Sequence, residues 1–493
     1  MSLSATAPDF LSQCEREALH LSGAIQSHGG LLVADTTGRV THASSNIGRF
    51  LGNATESWLG AALPSDTADL VAALPIKPGS RNTGVLVANP GAFDIVITRA
   101  ELGAILVELT EQADDAIAEL TPRFLIPDAV PADVAAMQAV ERAIVERIAD
   151  LTGFQRVMYY RYREDGDGEV IAEARRGEAY GSYLGLRYPA SDIPQIARTL
   201  YLKNPWRMIP DAAAAAIPIL GQLDPPDLTY SDLRSVSPVH QAYLANMGVG
   251  ASLSFPVVRR GELMALIAAH HRERRYLPLA VLAHAAALVR NHALTCSRYQ
   301  AQVSMQTVDG FLYRFNALKS WLGETDGYRA HWPELAQWLL GEFAADGIYL
   351  CLDDVCLQAG KVGKEGEADA IQQLSKWFKD QKEIVSHCDS LKRQAGVNAA
   401  TDIAGVLALR TRLSGKSELQ LFLTRQEFVH EVAWGGNPQK PVEPGPSGLN
   451  ISPRRSFEKW VENRTDYCRP WRSGDRLLAL KLRDFLRKEI RLF

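Results

Sequence analysis

The sequence predicts an α+β fold of three serial sheet-and-helix domains joined by long helices. Three observations carry this reading. The chain has 493 residues, more than one hydrophobic core usually holds. Strand-like runs recur in three separated regions, and helical stretches stand between and after them. A hydrophobic fraction of 46% and a charged fraction of 22% are ordinary for a globular protein. The net charge of −4, with no long basic run, argues against a nucleic-acid partner. Apolar stretches are broken by charge or Pro, so no membrane span of about twenty residues is expected. The start, MSLSATAPDFLSQCERE, has no basic-then-apolar leader. The six cysteines (Cys14, Cys296, Cys351, Cys356, Cys388, Cys468) form no CxxC pair and no disulfide framework. A reduced, cytoplasmic protein without structural zinc is the expectation.

In chain order, GGLLVADTTGRVTHAS, TGVLVA, FDIVITRA and GAILVELT between about 25 and 110 read as an antiparallel sheet with a hairpin at DTTG. The next stretch is Ala-rich and helical, with Pro131 near its start and Gly153 placed to end it. RVMYYRY, GEVIAEARR and ASLSFPVVRRGELMALIAAHH resume the strand pattern, the last with a hairpin turn at Arg260-Gly261. From Pro278 the apolar residues Leu282, Leu288, Val289, Val303, Phe311 and Phe315 fit one long helix or two nearly continuous ones. A third region, about 330 to 430, offers GIYLCLDDVCLQ and SELQLFLTR as strands. It runs into NPQKPVEPGPSGLNISP, too long for an ordinary hairpin loop. A basic amphipathic helix, SGDRLLALKLRDFLRKEIRLF, closes the chain.

Separated motifs add a second kind of information. Cys14-Glu15-Arg16-Glu17 precedes Gly23-Ala24-Ile25-Gln26 and His28-Gly29; Tyr188 to Pro194 reads YPASDIP; Leu233 to His240 reads LRSVSPVH; Ala269-His270-His271 ends a strand; Trp434-Gly435-Gly436 and Pro453-Arg454-Arg455-Ser456-Phe457 bracket the Pro/Gly-rich segment. In residues, order and spacing the chain resembles the bacterial phytochromes over essentially its whole length. The resemblance implies an arm at 1–24, a PAS domain at 25–120, a bilin-binding GAF domain at 121–300 and a PHY domain at 301–493. A tongue at about 430–465 would reach back to the GAF pocket, and a figure-of-eight knot would enclose the chain near Ile25.

The resemblance also assigns a cofactor and its holders. Biliverdin, a linear tetrapyrrole, would be thioether-linked through Cys14, whose thiol adds to a vinyl group on ring A. Ala18, Ser22 and Ser27 stand where relatives commonly have Pro. The main chain at Asp192, Ile193 and Pro194 would meet the pyrrole N–H groups. Arg207 and Arg234, with Ser237, Ser252 and Ser254, would hold the propionates. His240 would lie near the ring nitrogens, where an imidazole can share a proton. His270 would bond the ring D carbonyl, with Tyr160, Tyr188 and Tyr243 around that ring. From the residues alone, each His and Tyr also reads as ordinary core, and Arg207 and Arg234 as surface.

The function so implied is that of a red/far-red photoreceptor and not of an enzyme. Light would isomerise the bridge between rings C and D. The change would pass to Asp192 and its tongue partner Arg454, next to Ser456, and would refold the tongue from strand to helix. The expected partners are a second copy of the chain and an output domain or response regulator, with no nucleic acid, metal or membrane. A GAF-type small-molecule (nucleotide) sensor without chromophore is the alternative.

Overall fold

The computed structural model describes residues 18–88, 91–112, 129–177, 181–221, 224–323, 331–353, 355–361, 367–394, 403–412, 418–438, 442–445, 448–451 and 456–489. Cys14, Pro453, Arg454 and Arg455 lie outside them. The chain divides into two compact units: Met1–Tyr299 with Ala433–Trp460, and Gln300–Val432 with Val461–Phe493.

The first unit begins with a seven-stranded sheet. Its strands are β1 (Ala24–Ile25), β2 (Gly29–Ala34), β3 (Val40–Ser44), β4 (Arg81–Ala88), β5 (Gly91–Arg99) and β6 (Ile105–Glu111). The β2–β3 turn forms where DTTG predicts it: Asp35 Oδ1 accepts the main-chain N–H groups of Thr37 at 2.8 Å and Arg39 at 3.1 Å. Strand β2 is buried at every position, which explains its unbroken apolar run. Leu32 and Ala34 pack into the core with Phe50, Ile95 and Val107. Leu31 and Val33 face Leu228, Tyr230 and Leu233 of a later loop. The seventh strand comes from far along the chain: β11 (Ile217–Gly221) lies between β1 and β3. Ile25 pairs with Ile217 on one side and bridges Arg234 on the other. Nothing local in the sequence signals this insertion.

The second sheet combines β7 (Arg156–Tyr162), β8 (Gly168–Arg175), β9 (Arg187–Tyr188), β10 (Arg207–Ile209), β12 (Ala251–Arg259) and β13 (Glu262–His271). Strict alternation sorts its faces. Val157, Tyr159, Leu253, Phe255, Ile267 and Ala269 enter a core roofed by the helix Val134–Thr152 and the first part of the helix Leu279–Gly323. Met158, Tyr160, Ser252, Ser254, Ala268 and His270 point to the other face and line a cavity. The roof helix starts on an Asp133 cap, whose carboxylate accepts Ala136 N–H at 2.8 Å, and stops at Gly153 with φ 64°. The Arg260-Gly261 turn takes φ of 51° and 81°, as a two-residue hairpin requires. Beyond β9 the sheet is extended by the strand His430–Gly435, where Trp434 pairs with Arg187 in parallel. The Pro/Gly-rich segment is not structureless: Val442–Gly445 pairs with Gly448–Ile451 as a hairpin.

The second unit carries a five-stranded antiparallel sheet. Two of its strands, Val385–Cys388 and Ile403–Arg412, escape the sequence reading. One face is covered by Trp332–Glu342, Ser473–Glu489, Phe311 and Phe315, the other by Leu374 and Phe378 of Glu367–Lys379. Two expectations need correction. Cys351 and Cys356 are directly opposed across a hairpin, with Cα atoms 4.1 Å apart, and form a disulfide. Strand pairing brings them together, and spacing alone does not reveal it. The stretch Leu279–Leu318 is also long and apolar enough to cross a membrane by length and composition. Its apolar residues have a partner in the first unit, where Val281, Leu282, Ala285, Ala286 and Val289 pack on the sheet.

Candidate functional site

The sheet face bearing Tyr160, Ser252, Ser254 and His270 is the floor of one cavity. Its walls are the YPASDIP turn, the helix Gln195–Lys203 and the helix Pro238–Asn246. Thirteen residues expected at the cofactor line it together: Tyr160, Tyr188, Asp192, Ile193, Pro194, Arg207, Arg234, Ser237, His240, Tyr243, Ser252, Ser254 and His270. Leu19 lines it too, so the chain arrives at the cavity five residues after Cys14.

Charge inside the cavity is unbalanced toward the positive. Arg207 donates to the carbonyls of Asp232 (3.3 Å), Arg234 (2.7 Å) and Ser235 (3.0 Å). Arg234 donates to the Leu228 carbonyl at 3.3 Å. The Asp232 carboxylate is engaged by Arg81. Burial, and then the neighbouring Arg234 charge, bring Arg207 down to about 9, far below an ordinary guanidinium. Burial lowers Arg234 as well. Two cations packed side by side in a closed site call for an anionic ligand.

The histidines are held neutral. Burial, followed by the Arg207 charge, lowers His240 to about 4. Burial, then Arg156 and His240, lowers His270 to about 3. His271, next on the strand, turns to the opposite face, with its ring centroid 6.0 Å from that of Phe154. Two of the buried polar atoms that line the cavity, Tyr160 Oη and His270 Nδ1, find no hydrogen-bond partner among the described residues. Such atoms are costly to leave unpaired. They fit a ligand that brings its own donors and acceptors into the cavity. Burial keeps the Tyr160 phenol protonated.

Aromatic rings also line the cavity. Tyr188 lies 6.0 Å from both Tyr160 and Tyr183, and Tyr243 stacks on His240 at 6.2 Å. Tyr243 Oη donates weakly to Asp192 Oδ2 at 3.5 Å. Phe457, from the segment after the Pro/Gly-rich stretch, sets its edge on Tyr243 at 5.1 Å. Two glycines permit the crowding. A Cβ on Gly168 would overlap the Tyr160 ring, and one on Gly435 would fall 2.5 Å from the Tyr188 ring.

Sequence reasoning missed two contributors. Tyr201 lines the cavity with Ala197, Leu200 and Asn204, an i, i+3, i+4, i+7 stripe whose helical spacing was available. Its phenol also acts on the Arg207 and Arg234 charges. Arg198 holds the YPASDIP turn by donating to Ile193 (2.8 Å), Gly166 (2.9 Å) and Ala190 (3.0 Å) carbonyls. No local pattern marks it, because one of its three carbonyls is 32 residues away.

Comparison with known families matches this geometry. A PAS fold model covers residues 14–109, a GAF domain model 137–294 and a phytochrome region model 322–491. A bacteriophytochrome of Xanthomonas campestris is 30% identical over 95% of this chain and 77% of its own length. The chain belongs to the phytochrome family. A Pseudomonas aeruginosa bacteriophytochrome is 31% identical over 98% of this chain and 67% of its own length. The chain thus spans about two thirds of that phytochrome. The photosensory core module of Stigmatella aurantiaca phytochrome superimposes with a TM-score of 0.81 at 30% identity, covering 96% of each chain. A bacteriophytochrome from R. palustris gives 0.78 at 28% identity, covering 96% of this chain and 98% of its own. This phytochrome chain is therefore a light-sensing photosensory module of PAS, GAF and PHY domains, and its chromophore is a linear tetrapyrrole. The cavity on the GAF sheet suits that group: two buried cations for its carboxylates and two unsatisfied polar atoms for its other polar groups.

Proposed function

We propose that this photosensory module holds biliverdin, attached through Cys14, and that it signals by rearranging the strands at Ala433–Trp460. One observation carries the reading: a buried Arg207–Arg234 pair and the unpartnered Tyr160 and His270 atoms share one cavity. Leu19 at that cavity supports Cys14 as the attachment point. Five residues extend at most about 17 Å, so an arm ending in Cys14 can reach a pocket-bound vinyl group.

When bound, the tetrapyrrole supplies light absorption and isomerisation of its C/D methine bridge. The side chains of this protein do the rest. Arg207 and Arg234, with Ser237, Ser252 and Ser254, hold the propionates. Neutral His240 offers a ring nitrogen to the pyrrole N–H region, beside the main chain of Asp192, Ile193 and Pro194. His270, Tyr160 and Tyr188 would offer hydrogen bonds to the ring beside that bridge and exchange them when it turns. Asp192 and Tyr243 relay that exchange to Phe457 and Ser456, with Arg454 as the cation that latches Asp192. Strands His430–Gly435 and Lys459–Arg464 would be the strand form of the proposed strand-to-helix exchange. The Ile25 crossing between Ile217 and Arg234 supports a threaded knot. We further assign a cytoplasmic setting and a dimer of this chain. Any output activity, by an attached domain or a response regulator, would reside in sequence outside it.

The test is assembly with biliverdin. The full chain should give a band that fluoresces with zinc after denaturation and a reversible red/far-red difference spectrum. Cys14→Ser should keep colour but lose the denaturation-resistant band. Arg454→Ala should keep red absorption and lose a stable photoproduct. A colourless wild-type chain would sink the biliverdin reading.

A further inference from the structure

Glu108 lies in the middle of β6, flanked by Leu31 on β2 and Val96 on β5. Its carboxylate, 3% exposed, leaves the PAS sheet to meet a loop of the GAF domain. It accepts Ser231 O–H at 2.6 Å and the main-chain N–H groups of Leu233 at 2.8 Å and Asp232 at 3.3 Å. The same five-residue loop carries Arg234 and offers its carbonyls to Arg207. The N-terminal segment grips it as well: Gln26 N–H donates to Leu233 O at 2.7 Å and Ser235 N–H to Ala24 O at 3.1 Å. The charged groups facing Glu108 are Asp232, Arg81, Arg207 and Arg234. That is three cations and one anion, buried around one carboxyl.

We propose that Glu108 of the PAS domain is a positioning residue for the tetrapyrrole's carboxylates: it fixes the Ser231–Ser235 loop behind Arg207 and Arg234 and takes up a proton from solvent as the two propionates enter. This deepens the tetrapyrrole reading and rests on it. The entering charges are negative and close, so they raise the proton affinity of a carboxyl that shares their arginines; Asp232 shares them too but is paired with Arg81, which leaves Glu108 to take the proton. The added proton keeps a hydrogen-bond partner, because the Ser231 hydroxyl can turn from donor to acceptor when Glu108 becomes a carboxylic acid. Burial, and then the charge of Asp232, raise Glu108 to about 7, so the exchange falls within reach of ordinary buffers.

Linkage sets the readout. Each unit by which the propionates raise the Glu108 proton affinity makes binding of the diacid about tenfold tighter at low pH than at high pH. The measurement uses the full chain with Cys14→Ser, so that binding is reversible, and two probes, biliverdin and its dimethyl ester. The ratio of diacid to ester affinity isolates the propionates, since ring chemistry is common to both. In the Cys14→Ser chain that ratio should rise roughly tenfold as pH falls from 8.5 to 6. With Glu108→Gln added, it should be flat across that range and stay near the low-pH value. Equal loss of diacid and ester affinity in Glu108→Gln, with an unchanged pH profile of the ratio, would show a merely structural carboxyl and overturn the proposal while leaving the tetrapyrrole reading intact. If neither probe binds the Cys14→Ser chain, the tetrapyrrole reading and this proposal fall together.

Discussion

Arg207 and Arg234 repel each other in a dry site, and the fold tolerates this because main-chain carbonyls take their donors. A hydrogen bond to a charged group contributes about 2 kcal/mol. Arg207→Gln should therefore weaken reversible biliverdin binding by roughly thirtyfold, measured by absorbance titration of the Cys14→Ser chain, with the dimethyl ester much less affected. The two neutral cavity histidines, with His28 and His292, which burial also lowers to about 4, set an acid limit. In the unfolded chain an imidazole protonates near 6.5, whereas folded His240 and His270 do so near 4 and 3. The unfolded state thus binds more protons below pH 6.5, and stability present above that pH is lost as the pH falls toward 4. The melting temperature of the chromophore-free protein should fall over that window, and less steeply in His270→Gln. Glu108 acts in the opposite sense. Its folded value of about 7 lies above the ordinary carboxylate range, so its contribution declines as pH rises from about 4.5 to 7. An equally steep acid loss in His270→Gln would remove the histidine account.

At the scale of single elements, the second sheet works by alternation. Along the middle of β7, β12 and β13, Val157, Tyr159, Leu253, Phe255, Ile267 and Ala269 serve the core, and Met158, Tyr160, Ser252, Ser254, Ala268 and His270 between them serve the cavity. The Trp434–Arg187 pairing attaches a further strand at the far edge, and Gly435 lets it approach the Tyr188 ring. Gly435→Val would drive methyl groups into that ring, because a Cβ there already falls 2.5 Å from it. Hydrogen exchange at residues 433–436 should accelerate while β12 and β13 keep their protection. Unchanged exchange at 433–436 would mean that the strand is held by something other than this contact. The Asp133 cap is a smaller matter: Asp133→Ala should cost about 1 kcal/mol.

For the whole molecule, each unit has its own core. Trp471 is fully buried, and the Arg425 guanidinium lies 3.6 Å from its ring centroid. Trp471→Ala should destabilise the second unit by about 3–5 kcal/mol, raising exchange in Ile403–Arg412 and Glu418–Gln426 with little change in β12 and β13. Equal loss of protection in both units would show that they unfold as one block. The first unit is less modular than its domain order suggests. Strand β11 completes the PAS sheet from within GAF sequence, and Glu108 reaches the other way. A PAS deletion should therefore remove both the support of the Ser231–Ser235 loop and the pairing of β11.

Local pattern carries much of this protein. Short apolar runs bounded by turn residues placed β2 to β8 and the β12–β13 hairpin, helical patterns placed the helices after Pro131 and Pro278, and motif resemblance named thirteen residues that meet in one cavity. These properties are legible because they depend on neighbours within a few residues. The burial of Arg207 and Arg234, the insertion of β11 beside Ile25, the Cys351–Cys356 pairing and the position of Glu108 are different. Each depends on a group brought from elsewhere by strand pairing or loop packing. A glutamate between Val107 and Leu109 is an anomaly in a strand until the loop bearing Arg234 arrives to meet it. The sequence determined which faces are apolar and which residues could do chemistry. The tertiary structure decided which charges must share a buried volume, because electrostatic energy depends on distance and solvent exclusion and neither is a local property of the chain.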